Sequence, residues 1–506
     1  MPRPNSDQAP SALFVTSELH PLVKTGGLAD VSGALPAALI ECGVDTRVLL
    51  PGYDAVLDAP LGWQVTLAGL RLVPGVWQMA RLMEGRLPDA RGVEVPIYAI
   101  DCPDLYRRDG GPYQDSYGGD WGDNDLRFAL LGAVAAYLTL PETGLRWTPD
   151  ILHLNDWQAG LAAAYHAYGP VRRAKVISTV HNLSFAGDFA GDRISSWGLP
   201  SHAFGINGIE YYGRASFLKA GLYFADHVTT VSPTYAREIQ SAPVGCGFEG
   251  LLSSRQDRLS GIINGIDDNT WNPQSDGELP ANYSAKDLSG KAKNKAVLQE
   301  RFGLHMEPKT PLFAMVSRLT WQKGVDTLIA AAPSWLEAGA QMAIIGNGDS
   351  GLETALTRLS HAFPGRMGFV QGYDESLAHL LEAGADMYVM PSRFEPCGLN
   401  QMYSMRYGTP PLVRRTGGLA DTVINTDPNT LKNKTASGFV FSGDGEDTLA
   451  AAARRALDIY PNTRQWRQIM RAGMRRDFGW HGPAQAYEQL YRSLTGLHVT
   501  DAAEVA

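Results

Sequence analysis

Thr25-Gly26-Gly27-Leu28-Ala29-Asp30, near the start of the chain, returns unchanged as Thr416-Gly417-Gly418-Leu419-Ala420-Asp421 near its end. Each copy lies where an apolar, strand-like run gives way to a helix-like one: Leu13-Phe14-Val15 precedes the first, Pro411-Leu412-Val413 the second. Cations flank both, Lys24 before the first and Arg414 and Arg415 before the second. Paired glycines at a helix start let a ligand approach the unpaired N–H groups there, and the helix dipole favours an anion. Two ordinary loop-to-helix turns would look the same taken singly. One at each end of the chain predicts two α/β halves that hold one phosphorylated ligand.

The rest of the chain fits that division. Its 506 residues exceed what one hydrophobic core supports, so two domains are expected. Strand-like and helix-like runs alternate almost throughout, which is the pattern of parallel α/β sheets. In the first half the strands are Leu13–Ser17, Thr46–Pro51, Val95–Ile100, Ile151–Leu154, Val176–Val180 and Val228–Val231. Helices are predicted over Ala29–Cys42, Asp125–Leu140 and Trp157–Tyr168, closed by Gly43, Pro141 and Gly169-Pro170, and Trp63–Val95 reads as hairpin material. A second series places strands at Phe313–Ser317, Ala343–Ile345, Met367–Gln371, Met387–Met390, Pro411–Val413 and Phe439–Phe441. The hinge is placed near Arg258–Ser260, which gives domains of 1–258 and 259–477. The turn-rich stretch Asn272–Leu288 falls inside the second. The last helix-like run, Ala484–Leu494, is compatible with either.

A net charge of −9 argues against a nucleic-acid partner, so any phosphate must be met by a few placed cations. Cys42, Cys102, Cys246 and Cys397 are scattered without metal or disulfide spacing, which fits a reducing cytoplasm. No run of about 18 apolar residues predicts a membrane span. Met1–Pro10 is polar, with no apolar leader core, and the tail Thr500–Ala506 is expected to fray.

Several motifs carry chemistry. Gly346-x-Gly348-x-x-Gly351 follows a strand and opens a helix, as a dinucleotide fingerprint does. It stands in mid-domain, however, and only Asp374 or Glu375 loosely matches the acid that should follow it. Asp123-Asn124-Asp125 resembles a D-x-D metal site, yet Asp125 directly precedes an apolar helix and reads better as its N-cap. No histidine or acidic cage offers another metal site. Arg318 and Lys323 stand five residues apart just after a strand, a rigid fork and a mobile point charge suited to a diphosphate. Ser392-Arg393-Phe394-Glu395-Pro396-Cys397-Gly398-Leu399 follows another strand; its Glu395 either caps a helix or holds sugar hydroxyls. Cys397 reads as a small packed side chain. His153-Leu154-Asn155-Asp156-Trp157 and Thr179-Val180-His181-Asn182 end two strands of the first half, where parallel sheets bind ligands.

In order, Lys24-Thr25-Gly26-Gly27-Leu28-Ala29-Asp30, Asp156-Trp157, His181-Asn182, Asn264-Gly265-Ile266-Asp267, Arg318 with Lys323, Glu395-Pro396-Cys397-Gly398-Leu399 and Thr416-Gly417-Gly418-Leu419 resemble the bacterial glycogen synthases that use ADP-glucose, relatives of the plant starch synthases. The resemblance runs from Leu13 to Leu494. It implies a GT-B fold, two Rossmann-like domains facing across a deep cleft, with the C-terminal helix (478–506) completing the first. It implies retaining transfer of glucose from ADP-glucose to the nonreducing 4-hydroxyl of an α-1,4-glucan such as glycogen, without cofactor or metal.

By the same resemblance, Lys24, Gly26 and Gly27 meet the donor phosphates, as do Arg318, Lys323 and the N–H groups at Thr416, Gly417, Gly418 and Leu419. Glu395 holds glucose hydroxyls, His181 lies beside the anomeric centre and Asp156 faces the acceptor. Asn264, Cys397, Gly398 and Leu399 join the donor site, and Tyr373 is placed to stack on adenine. Two positions depart from relatives. Tyr403 stands where related retaining transferases often carry a second glutamate, and Asn155 where relatives often have histidine. The open alternatives are a GT-B transferase with a UDP-sugar donor or small acceptor, an inactive glucan-binding protein and a nicotinamide enzyme.

Overall fold

The structure, a computed structural model, describes residues 9–89, 91–171 and 173–497. The tail residues expected to fray and most of Met1–Pro10 lie outside the described residues. The chain forms two compact units. Met1–Gly265 with Trp480–Ala506 make the first, and Ile266–Gly479 the second.

The first unit is built on a nine-stranded sheet. Its strands are β1 (Ser11–Val15), β2 (Asp45–Pro51), β3 (Gln64–Leu70), β4 (Ala80–Pro88), β5 (Glu94–Asp101), β6 (Ile151–Asn155) and β7 (Lys175–Val180), with two later ones. A separate small antiparallel sheet holds β8 (Asp188–Ala190), β9 (Glu210–Tyr211) and β10 (Arg214–Ser216). Then come β11 (His227–Thr230) and β12 (Leu259–Gly261), and the large sheet runs β12-β11-β7-β6-β1-β2-β5-β4-β3. It is parallel except where β4 pairs with β3 and β5, the predicted hairpin region.

The expected boundary at 258/259 falls one strand early, because β12 pairs in register with β11. The central strands are buried on both faces, so they read as unbroken apolar runs. Helices cover them at close quarters. A Cβ at Gly160, on helix Asp156–Tyr168, would overlap the Phe217 carbonyl that starts helix Phe217–Phe224.

The last helix, His481–Thr495, belongs to this unit and packs on helix Gly27–Glu41. Its Tyr491 hydroxyl meets His153 Nδ1 at 2.6 Å, while His153 Nε2 meets Thr179 Oγ1 at 2.6 Å. His153 is wholly buried, and burial pushes its pKa down to about 3. It is a neutral core residue that ties the returning helix to β6.

The second unit carries six parallel strands: β13 (Leu312–Val316), β14 (Gln341–Gly346), β15 (Met367–Gln371), β16 (Met387–Met390), β17 (Pro411–Arg414) and β18 (Phe439–Phe441), in the order β15-β14-β13-β16-β17-β18. The turn-rich segment after residue 270 is pinned by aromatic stacking. Trp271 lies 3.8 Å from the ring of Tyr403 and 4.0 Å from that of His379, centroid to centroid. Tyr403 thus does packing work at the position where relatives carry a second glutamate. In each sheet the chain changes sides beside the first strand of its unit, between β1 and β6 and between β13 and β16. Loops diverge at such a point, which opens a crevice at the strand C-termini.

Candidate functional site

In the first unit the loops after β1 and β6 leave from that point. Asp156 follows β6 directly and opens its helix at φ = +57°, a left-handed conformation that a non-glycine residue adopts only under constraint. The constraint is visible. Asp156 Oδ1 accepts the backbone N–H of His181 at 2.7 Å, joining the ends of β6 and β7. Burial raises the Asp156 carboxyl to about 7, although the amides of His181 and Asn182 pull the other way. His181 Nε2 lies 3.0 Å from Asn155 Oδ1, and burial lowers the imidazole to about 4, so it is neutral at physiological pH.

After β1, the loop that leads into the first Gly-Gly turn is organised by Glu18, a residue the sequence reading passed over. Its buried Oε2 accepts the N–H groups of Thr25 at 2.6 Å and Gly26 at 3.1 Å, and its Oε1 accepts the Tyr113 hydroxyl at 2.6 Å. The Gly26 amide expected to be bare for a phosphate is therefore already bonded to a carboxylate. Lys24 Nζ is bonded to Asp30 Oδ1, in the first turn of helix Gly27–Glu41, at 2.8 Å. A signal was present, since Glu18 follows an apolar strand by three residues, a placement like that of Glu395.

In the second unit, Arg318 leaves β13 exposed and, among the described residues, forms no ion pair. Lys323 ends the short turn Trp321–Lys323 and reaches Glu395 Oε2 at 2.7 Å. Ser392 Oγ donates to the same oxygen at 2.9 Å. Glu395 is only 5% exposed, so these bonds hold it firmly; it caps no helix. The Glu395–Cys397 backbone runs against the second Gly-Gly turn. A Cβ on Gly417 would overlap the Glu395 carbonyl oxygen, and one on Gly418 the Cys397 carbonyl oxygen. Gly418 N–H donates to the carbonyls of Glu395 and Pro396, both at 3.1 Å, and Thr416 N–H to that of Arg414 at 3.0 Å. These two amides expected for phosphate are thus taken by protein. Cys397 is buried, as predicted, and Gly398 turns at φ = +69° against Gln401. Leu399 stands at the start of helix Asn400–Arg406.

Two other expected residues remain. Asn264 is buried at the edge of the first unit. Tyr373 lies two residues beyond β15 and is 63% exposed.

Two motifs change meaning. Asp125 lies inside helix Asn124–Tyr137 and does not cap it. Its Oδ2 accepts Trp197 Nε1 at 2.8 Å and pairs with Arg193 at 2.7 Å, while Asp123 pairs with Arg108 at 2.6 Å. The Gly346–Gly351 turn is closed against protein. Added Cβ atoms at Gly346 and Gly348 would overlap the carbonyls of Ser317 and Leu319, and Gly348 N–H donates to Glu353 at 2.9 Å. Those glycines let the Arg318 loop approach, which gives them a packing reason of their own.

Residues 11–254 match the family described as the starch synthase catalytic domain, and residues 298–472 match glycosyl transferases group 1. The glycogen synthase of Nitrosospira multiformis is 49% identical over 95% of this chain and 97% of its own length. That of Paramagnetospirillum magneticum is 48% identical over 96% and 97%. Among solved structures, the catalytic domain of starch synthase IV from Arabidopsis thaliana, bound to ADP and acarbose, superposes with a TM-score of 0.84 at 30% identity, covering 97% of this chain and all of that one. A sucrose-phosphate synthase from Thermosynechococcus elongatus, at 18% identity and a TM-score of 0.56 over 97% of this chain and all of its own, shares the fold. The two Rossmann-like units are those of a GT-B glycosyltransferase. Among the described residues no helix is long and apolar enough to cross a membrane.

Proposed function

The chain belongs to the glycogen synthase family of glycosyltransferases, and from that premise we propose that it transfers glucose from ADP-glucose, with retention, to the nonreducing 4-hydroxyl of an α-1,4-glucan. ADP and acarbose on the Arabidopsis relative support a nucleotide donor and a glucan-like acceptor. The observation that carries the reading is the Lys323–Glu395 pair beside the exposed Arg318, at the point where the chain changes sides in the second unit's sheet.

Breaking the sugar–phosphate bond develops negative charge on the leaving diphosphate and positive charge on the ring. Arg318 and Lys323 are the groups to receive the first, with Lys24, Gly26 and Gly27 as the first unit's share. A Cβ at Gly26 would meet nothing within 4 Å, and its φ of −161° is open to any residue, so neither packing nor conformation requires glycine there. Close approach of a ligand does. Glu395, fixed by Ser392, holds glucose hydroxyls, and Lys323 turns from it toward phosphate when donor arrives. A neutral His181 can donate or accept at the anomeric centre without repelling the positive ring. Asp156 serves the acceptor hydroxyl, and the leaving phosphate takes its proton in same-face attack. Asn264, Tyr373 and the Thr416–Leu419 turn complete the donor side in this reading.

Incubation with glycogen and either ADP-glucose or UDP-glucose, with release of nucleoside diphosphate as the readout, tests it. ADP-glucose should be the better donor. Arg318→Ala and Lys323→Ala should each lower turnover on the order of 10²–10³-fold, with glycogen binding largely kept. Preference for UDP-glucose, or near-normal turnover in both variants, would overturn the assignment.

A further inference from the structure

A cavity of about 1020 Å³ lies in the second unit at the other end of its sheet. Pro311, immediately before β13, and Asp386, immediately before β16, both line it, whereas Arg318 and Glu395 follow the opposite ends of the same strands. Strands of four and five residues put roughly 15 Å between the two locations. The volume is at the upper end of the range for small-molecule sites.

The charge of the lining sets this cavity apart. Lys291, Lys295, Lys309, Arg454 and Arg467 face it against Asp386 and Asp458, in a chain whose net charge is −9. Two of the cations already have partners. Lys291 Nζ donates to the Ala383 carbonyl at 2.8 Å and to Thr409 Oγ1 at 2.6 Å, and Lys295 Nζ is bonded to Asp386 at 2.6 Å. Lys291 thus answers the carbonyl-rich C-terminal end of helix Glu375–Gly384, and Lys295 also donates to the Thr310 carbonyl. Lys309, Arg454 and Arg467 remain. All three are exposed at the rim, on different elements, and among the described residues none pairs with a carboxylate. Thr463, the first residue of the twelve-residue helix Thr463–Met474, brings a positive helix end to the same rim. Tyr460 and Trp466, whose rings meet edge to face at 5.2 Å, form an aromatic wall.

We propose that this cavity binds an organic phosphate, its ring-bearing body against Trp466 and Tyr460 and its phosphate on Lys309, Arg454 and Arg467. A neutral sugar would use the aromatic wall but leave three cations unanswered. Sugar phosphates and nucleoside monophosphates share the chemistry that fits.

Calorimetric titration of the full chain with glucose 6-phosphate, AMP and glucose tests the assignment and separates the two sources. At least one phosphorylated probe should bind at sub-millimolar concentration and glucose should not. The Arg454→Ala/Arg467→Ala pair should weaken that binding tenfold or more. Lys309→Ala, on a separate element, should weaken it independently, and Lys323→Ala, at the opposite end of the sheet, should leave it unchanged. Absence of binding by both phosphates, equal binding of glucose, survival in the arginine pair and in Lys309→Ala, or loss in Lys323→Ala would each overturn the proposal.

Discussion

Asp156 is the residue in which position, strain and protonation meet. Its backbone is held left-handed because its carboxyl joins the ends of β6 and β7, and burial lifts that carboxyl to about 7 against about 3.9 in an unfolded chain. Between these two values the folded chain holds a proton that the unfolded chain releases. Stability from this group is therefore present below about pH 4, falls as pH rises to about 7, and stays lower above. Asp156→Asn keeps an acceptor for the His181 amide and removes the titration. Its denaturant midpoint should decline less between pH 4 and pH 8 than that of the unchanged chain, and identical declines would remove Asp156 as the source. The roles that the sequence did not reveal belong to this scale too. Glu18, Ser392 and Asn155 work by holding another group, and a holding role has no motif of its own.

At the scale of elements, the two identical hexapeptides do different work. In the second, each glycine is required by a carbonyl lying where its Cβ would be, and Gly417 also turns at φ = +40°. In the first, the helix starts at Gly27 with open space around Gly26. Gly417→Ala or Gly418→Ala should destabilise the chain by about 1–3 kcal/mol. Gly26→Ala should change stability by less than about 1 kcal/mol while lowering turnover. Denaturant midpoints together with turnover decide, and equal destabilisation at all three positions would contradict the distinction. Most strands were legible within a residue or two because they are continuous apolar runs, and the central ones are buried on both faces. The small sheet β8–β10 and the edge strand β12 were not, being two or three residues long and largely polar or half-buried.

For the whole molecule, the chemistry proposed requires positive charge and places it on side chains. Arg318, Lys323 and Lys24 supply three cations, and the carboxylates of the D-x-D triplet are each bound to an arginine. Transfer should keep nearly full rate after treatment with EDTA. Abolition of activity with rescue by magnesium or manganese would return attention to Asp123 and Asp125. The last helix also acts at this scale, since the Tyr491–His153 bond docks it in the first unit although the whole second unit precedes it in sequence.

Sequence by itself determined that the chain has two parallel α/β units, which strands and helices compose them, and which family its motifs resemble. These are short-range properties: apolar periodicity, turn residues and runs of a few side chains are complete within a dozen residues. Only the tertiary structure decided that Lys323 holds Glu395 across 72 residues, that Glu18 occupies the amides of the first Gly-Gly turn, and that the dinucleotide-like turn is closed by the Arg318 loop. It also decided that Lys309, Arg454 and Arg467, which among the described residues pair with no carboxylate, line one cavity at the far end of the second sheet. Strand order alone brings such groups together, and it is set by packing between segments distant in the chain.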